Sequence, residues 1–102
     1  MSGFFILYFM HTIYILFSEK IKRHYIGYTS DLEIRLEFHK IAQNHKFTYN
    51  ADDWKVLFTI TCETKQQALA IEKHLKAMKS KTYIENIQKY PEMITKLLQK
   101  YA

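Results

Sequence analysis

Two short runs rich in β-branched and aromatic residues, Thr12 to Phe17 and His24 to Tyr28, are separated only by Ser18 to Arg23, a segment made polar by Glu19, Lys20 and Lys22. A parallel pair of strands needs a crossover of about a dozen residues or more, so a link this short dictates an antiparallel hairpin. The rest of the chain must cover that hairpin. Ser30 with Glu33 reads as a capping box opening a helix that runs to about Ile41, with Leu32, Leu36 and Phe38 on its apolar side. Asn44 to Asp53 is polar and reads as a loop. Trp54 to Thr61 alternates as a third strand, which puts Trp54, Val56, Phe58 and Ile60 on one face. Thr64 and Gln67 form a second capping box, ahead of a helix with the stripe Ala68, Ile71, Leu75 and Met78. Tyr83 to Lys89 reads as a short helix. Pro91 suits the first position of a last helix carrying Ile94, Leu97, Leu98 and Tyr101. The expected fold is α+β, a three-stranded antiparallel sheet flanked by helices in the order ββαβααα.

A chain of 102 residues has room for one core. The expectation is a single domain over residues 11–102, preceded by an apolar extension over residues 1–10. Phe4 to Phe17 is too short for a membrane span, which takes ~20 apolar residues, and it lacks the basic start of a signal peptide. Either Met10 is the translation start, or Phe4 to Phe9 covers a sheet edge. Cys62 is the only cysteine, which excludes an internal disulfide and suits a reducing, cytoplasmic setting. The formal charge of +5 fits a polyanionic partner without requiring one.

Tyr14 and Tyr25 lie on the two hairpin strands. Arg35 and His39, four residues apart, share a face of the following helix. Two phenols, a guanidinium and an imidazole suit chemistry on a phosphodiester: a group to take a proton from water and a fixed cation for the phosphate. Read without context, each has a plain structural role. A strand tyrosine is usually a core aromatic, and Asp31 stands one turn before Arg35, where it could pair with it.

The segments Thr12-Ile13-Tyr14-Ile15-Leu16 and Tyr25-Ile26-Gly27-Tyr28-Thr29-Ser30-Asp31-Leu32-Glu33-Ile34-Arg35-Leu36-Glu37-Phe38-His39 resemble the GIY-YIG nuclease superfamily, in particular its small stand-alone bacterial members. They are also similar to the N-terminal nuclease domain of the excision-repair incision subunit. The resemblance implies a metal-dependent endonuclease acting on DNA phosphodiesters with low sequence specificity, possible roles being DNA repair or recombination. The alternative is a non-catalytic nucleic-acid-binding module of the same fold. Tyr14, Tyr25, Arg35, His39 and Glu72 become the catalytic set, with Tyr14 favoured as the base and Tyr25 as its positioning partner. Glu72 becomes the ligand of Mg²⁺ or Mn²⁺, and Gly27 allows close backbone approach beside the site. No small-molecule cofactor and no membrane partner is implied. Tyr28, Lys73, Lys76, Lys79 and Lys81 are candidate contacts to DNA, including branched or damaged DNA. Thr12 stands where the family has its first glycine, Tyr28 where some repair nucleases have lysine, and Asn86 is the nearest match to the family's late asparagine.

Overall fold

The computed structural model describes residues 11–37 and 51–102. The expected extension over residues 1–10, His39 and most of the expected loop lie outside the described residues. Strand β1, His11–Ser18, pairs antiparallel with β2, Arg23–Thr29. Residues 32–37 are helical and are labelled α1. Strand β3, Lys55–Cys62, pairs antiparallel with the other side of β1. Helices α2, Lys65–Met78, α3, Lys81–Lys89, and α4, Glu92–Lys100, complete the chain. The sheet order β2-β1-β3 leaves β2 at an edge. This is the α+β architecture expected from the sequence.

The central strand explains its own composition. Ile13, Tyr14, Ile15 and Leu16 are all buried, because β1 is covered on both faces. Ile13 and Ile15 face a core built with Ile60, Cys62, Ala68, Ile71, Leu75, Ile84, Ile87 and Leu97. Tyr14 and Leu16 face a smaller cluster with Ala51 and Trp54, against which Ile21, Tyr25, Leu32 and Leu36 pack. The sheet thus separates α2, α3 and α4 from α1.

Three local expectations are corrected. Trp54 does not share a face with Ile60. Ile15 pairs with Phe58 and Leu16 with Val56, so Leu57 is the extra residue of a β-bulge. One inserted residue reverses the in–out alternation. Leu57, Phe58 and Ile60 therefore join the helical core, while Trp54 joins Tyr14 and Val56 is exposed. The cap of α1 is Asp31 rather than Ser30: Asp31 Oδ1 accepts from the Ile34 amide at 3.2 Å, and the Arg35 amide bonds to the Asp31 carbonyl. Thr29 fixes that turn, its hydroxyl donating to the Asp31 carbonyl and accepting from the Asp31 amide. Met78 is exposed, since α2 ends there on the left-handed Lys79, and Gln67 is buried in its place.

Gln67 shows how the C-terminal helices are tied down. Its amide donates to Thr64 Oγ1, its Oε1 accepts from the Glu63 amide, and its Nε2 donates to the Leu98 carbonyl. His74 does the same nearer the other end of α2. Its Nδ1 is 2.8 Å from the Tyr101 hydroxyl and its Nε2 is 3.0 Å from that of Tyr83.

Candidate active site

Gly27 lies opposite Tyr14 in the β1–β2 register. A Cβ built on Gly27 would fall 2.3 Å from both Cζ and the hydroxyl oxygen of Tyr14. The phenol therefore lies flat across β2, with its hydroxyl end over the Gly27 backbone and directed toward the sheet edge. This is the close approach expected at Gly27, and the group that approaches is the motif tyrosine itself. Tyr25 stacks beside it, with ring centroids 6.2 Å apart, and Trp54 meets Tyr25 edge-on at 6.4 Å.

The Tyr14 oxygen is hydrogen-bonded to both Arg35 and Tyr25. A guanidinium only donates, so the Tyr14 oxygen accepts from Arg35 and its own O–H is left for the Tyr25 oxygen. Among the described residues Arg35 forms no ion pair with Asp31, whose carboxylate caps α1 instead. Arg35 is exposed, which leaves its remaining donors to solvent or substrate.

Burial, reinforced by Tyr25 and only partly offset by Arg35, pushes Tyr14 up to about 12. Forming its phenolate at pH 7 would then cost ~7 kcal/mol, at 1.36 kcal/mol per unit. In the absence of metal and substrate the raised value therefore favours Tyr14 as a neutral phenol that donates to Tyr25.

The raised value also predicts alkaline behaviour. The folded protein holds this proton at a pH where the unfolded chain, titrating near 10, has lost it. The stabilisation is complete below pH 10 and is lost as pH rises from 10 to 12. Urea melts across that window should show wild type losing stability more steeply than Tyr14→Phe, by up to ~3 kcal/mol. Equal slopes would mean that Tyr14 ionises as freely folded as unfolded.

Glu72 stands apart from this group. It is carried by α2, on the other face of the sheet from Tyr14 and α1, and it pairs with Lys76 at 3.3 Å. It sits one position past buried Ile71, on the flank that also carries Lys76, and Lys76 lines a cleft with Tyr25 at the β2 edge. The carboxylate and the phenols are therefore related around the β2 edge and are not gathered on one face.

That cleft has a volume of about 500 Å³. Lys79 and Lys81 line it with Lys76, whereas Lys73 is exposed on α2 and is not part of the wall. Tyr28 turns away from it: its hydroxyl is 2.7 Å from His11 Nδ1, and its ring packs against the helical core. Asn86 is in α3, where its carbonyl accepts from the Tyr90 amide.

Two contributors were missed in the sequence. Trp54 supports Tyr25 only because the bulge turns it over, and no local pattern announces that. His24 lines the cleft from an unremarkable strand position.

A family model, described as the GIY-YIG catalytic domain, matches residues 10–87. The chain belongs to the GIY-YIG family. No curated protein and no solved structure matches it. Membership makes this a nuclease-type domain, in a family whose enzymes act on DNA and generally depend on a divalent metal. No helix among the described residues is long and apolar enough to cross a membrane.

The fit of a metal rests on one carboxylate. The described residues contain no group of three or more His, Cys, Asp or Glu side chains placed to hold an ion. Glu72 alone still suits Mg²⁺, which keeps several waters and takes phosphate oxygens as further ligands. Its present partner, Lys76, is exposed and can swing away.

Proposed function

We propose that this GIY-YIG domain is a metal-dependent endonuclease that hydrolyses DNA phosphodiesters with low sequence specificity, in repair or recombination within the cytoplasm. The observation that carries the reading is the hydrogen-bonded Arg35–Tyr14–Tyr25 group laid across Gly27, which holds a cation and two phenols at one edge of the sheet. Water attacks phosphorus and the bond to the leaving sugar oxygen breaks. As water attacks, Tyr25 takes its proton and releases its own phenolic proton to solvent, the Tyr14 hydroxyl holding the Tyr25 oxygen in place, and the leaving oxygen takes a proton from solvent. Arg35 has donors beyond the one held by Tyr14 and uses them on the non-bridging oxygens as charge builds there. Glu72 would hold the Mg²⁺ or Mn²⁺ ion. When bound, the ion neutralises phosphate charge and makes water more acidic. His39 remains a candidate to orient water or carry a proton. Lys73, Lys76, Lys79 and Lys81 supply attraction to the DNA backbone without reading sequence.

A cleavage panel of single-stranded, duplex, nicked and branched DNA with Mg²⁺, Mn²⁺ or EDTA tests this reading. The expected result is cleavage with either metal and none with EDTA. The second reading, a module that binds nucleic acid without turnover, draws support from the Glu72–Lys76 pair, which already neutralises the one candidate metal ligand. DNA binding by a folded protein that cleaves no member of the panel would establish it.

Glu72→Gln is expected to abolish metal-dependent cleavage and to cost under about 1 kcal/mol of stability. The only described contact it loses is a helical i,i+4 ion pair, a type worth ~0.3–0.5 kcal/mol. Wild-type cleavage by the folded variant would show that the ion is held elsewhere.

A further inference from the structure

The lysines proposed to attract DNA are carried by α2, its C-cap and the first residue of α3, on the other face of the sheet from the phenols. A strand whose scissile phosphate sits at Arg35 therefore needs a cation of its own on the α1 face. Strand β2 supplies one. Arg23 is its first residue and its only lysine or arginine. The register pairs Ser18 with Arg23, Leu16 with Tyr25 and Tyr14 with Gly27. Paired residues of an antiparallel sheet point to one side, and alternate residues of a strand share it. Tyr14, Leu16 and Tyr25 belong to the cluster on the α1 face, whereas His24 is turned the other way, against Phe17 and near Lys81 of the helical side. Arg23 therefore rises from the same face as Tyr25. It stands four residues from Gly27, about 13 Å at ~3.3 Å per residue, with Tyr25 midway between them.

The other charges of the turn before Arg23 are already matched. Lys20 pairs with Asp52 at 3.3 Å and Lys22 pairs with Glu19. Asp53 accepts from the Ser18 hydroxyl on one oxygen and from the Lys20 amide on the other. Arg23 is exposed, and among the described residues it has no anionic partner. Its base is nonetheless fixed. The Ile21 amide donates to Ser18 Oγ at 3.3 Å, and Ile21 packs on the cluster of Tyr14, Leu16 and Trp54. A guanidinium held out from a fixed strand position suits a phosphate, which its fork can take with two parallel hydrogen bonds. Standing so far along β2, it meets a different phosphate from the one at Arg35.

We propose that Arg23 binds a backbone phosphate flanking the one held by Arg35, on the same strand, and so sets how that strand lies across Tyr25. The inference rests on the nuclease reading for its role and adds to it a contact that orients the strand, where the lysines of the helical face only attract it.

The test is binding of thymidine oligonucleotides, from the dinucleotide to the hexanucleotide, to the full chain in EDTA, so that no turnover intervenes. Affinity is measured at one salt concentration, and the arginine Nε–H NMR signals show which side chains are touched. Wild type is expected to gain about tenfold once the oligonucleotide is long enough to reach both arginines, the worth of one charge-assisted contact, with shifts at both Arg23 and Arg35. Arg23→Gln should abolish that step and leave dinucleotide affinity unchanged. Arg23→Lys should restore part of it. Lys73→Gln, which removes the same charge from α2, should keep it. Arg23 gives up no described contact on substitution, so these variants should fold, and circular dichroism checks that they do. A wild type without the step, a step that survives Arg23→Gln, or equal losses in Arg23→Gln and Lys73→Gln at every length would overturn the proposal. The two readings fail separately. A step that depends on Arg23 in a protein that cleaves no DNA removes the nuclease and keeps the contact, and metal-dependent cleavage without the step removes the contact alone.

Discussion

Gly27→Ala is expected to destabilise the protein by ~3 kcal/mol, the upper end for an inserted methyl group, and to remove nuclease activity. The new Cβ would stand 2.3 Å from Cζ and from the hydroxyl oxygen of Tyr14 and 2.8 Å from Cε2, distances at which real Cβ atoms do not sit. The obstacle is not a flexible side-chain tip. Tyr14 is fully buried, is stacked on Tyr25, and is hydrogen-bonded at its oxygen, so the ring or the strand must move. A displacement of about 1 Å in a catalytic group is enough for ~100-fold in rate. Urea melts of Gly27→Ala, Tyr14→Ala and the double variant separate the effects. Tyr14→Ala alone opens a cavity. In its presence, however, Gly27→Ala should cost almost nothing, so the two changes should couple strongly. Full additivity would mean that the ring does not lie over Gly27.

Arg35→Ala is expected to lower single-turnover cleavage by a hundredfold or more while leaving bulk DNA affinity within a few-fold. Loss of one preorganised donor at a developing charge is worth ~3 kcal/mol. Loss of one cation among several dispersed phosphate contacts weakens salt-sensitive binding far less. The structure sharpens the case, because Arg35 donates to Tyr14 and has no described anionic partner. Its removal takes away both a phosphate ligand and a hydrogen bond that helps fix the phenol. The measurement pairs cleavage and binding at one salt concentration, with circular dichroism to confirm folding. Equal loss of both would make Arg35 a tether only. Loss of neither would remove it from the site.

The hairpin and the order of elements were legible because each follows from short-range pattern, whereas the grouping of Tyr14, Tyr25 and Arg35 was expected only from the resemblance to the GIY-YIG family. A six-residue link fixes an antiparallel pair, and the register of that pair brings Tyr14 over Gly27. What escaped depends on which partners each residue meets in the fold. The bulge at Leu57 exists only relative to β1, and the in–out alternation of residues 54–60 gives no sign of it. The α1 cap fell to Asp31 over its equally suitable neighbour Ser30 because Thr29 holds that turn. The side on which Glu72 lies was ambiguous for the same kind of reason. Its place beside the apolar stripe of α2 was readable, but which sheet face α2 covers is decided by tertiary packing against Ile13 and Ile15.

The family match ends at residue 87, inside α3, yet the folded unit does not. Leu97 is part of the main core, the Leu98 carbonyl holds Gln67, and the Tyr101 hydroxyl reaches back to His74. Evolutionary bookkeeping and mechanical integrity thus draw the border of this domain in different places. A recombinant fragment cut at the shared border would uncover Ile71 and Ile87 and leave Gln67 and His74 each short of a partner. Silence from such a fragment in a nuclease assay would describe a broken scaffold. The smallest piece able to answer for Tyr25 and Arg35 runs on through Tyr101.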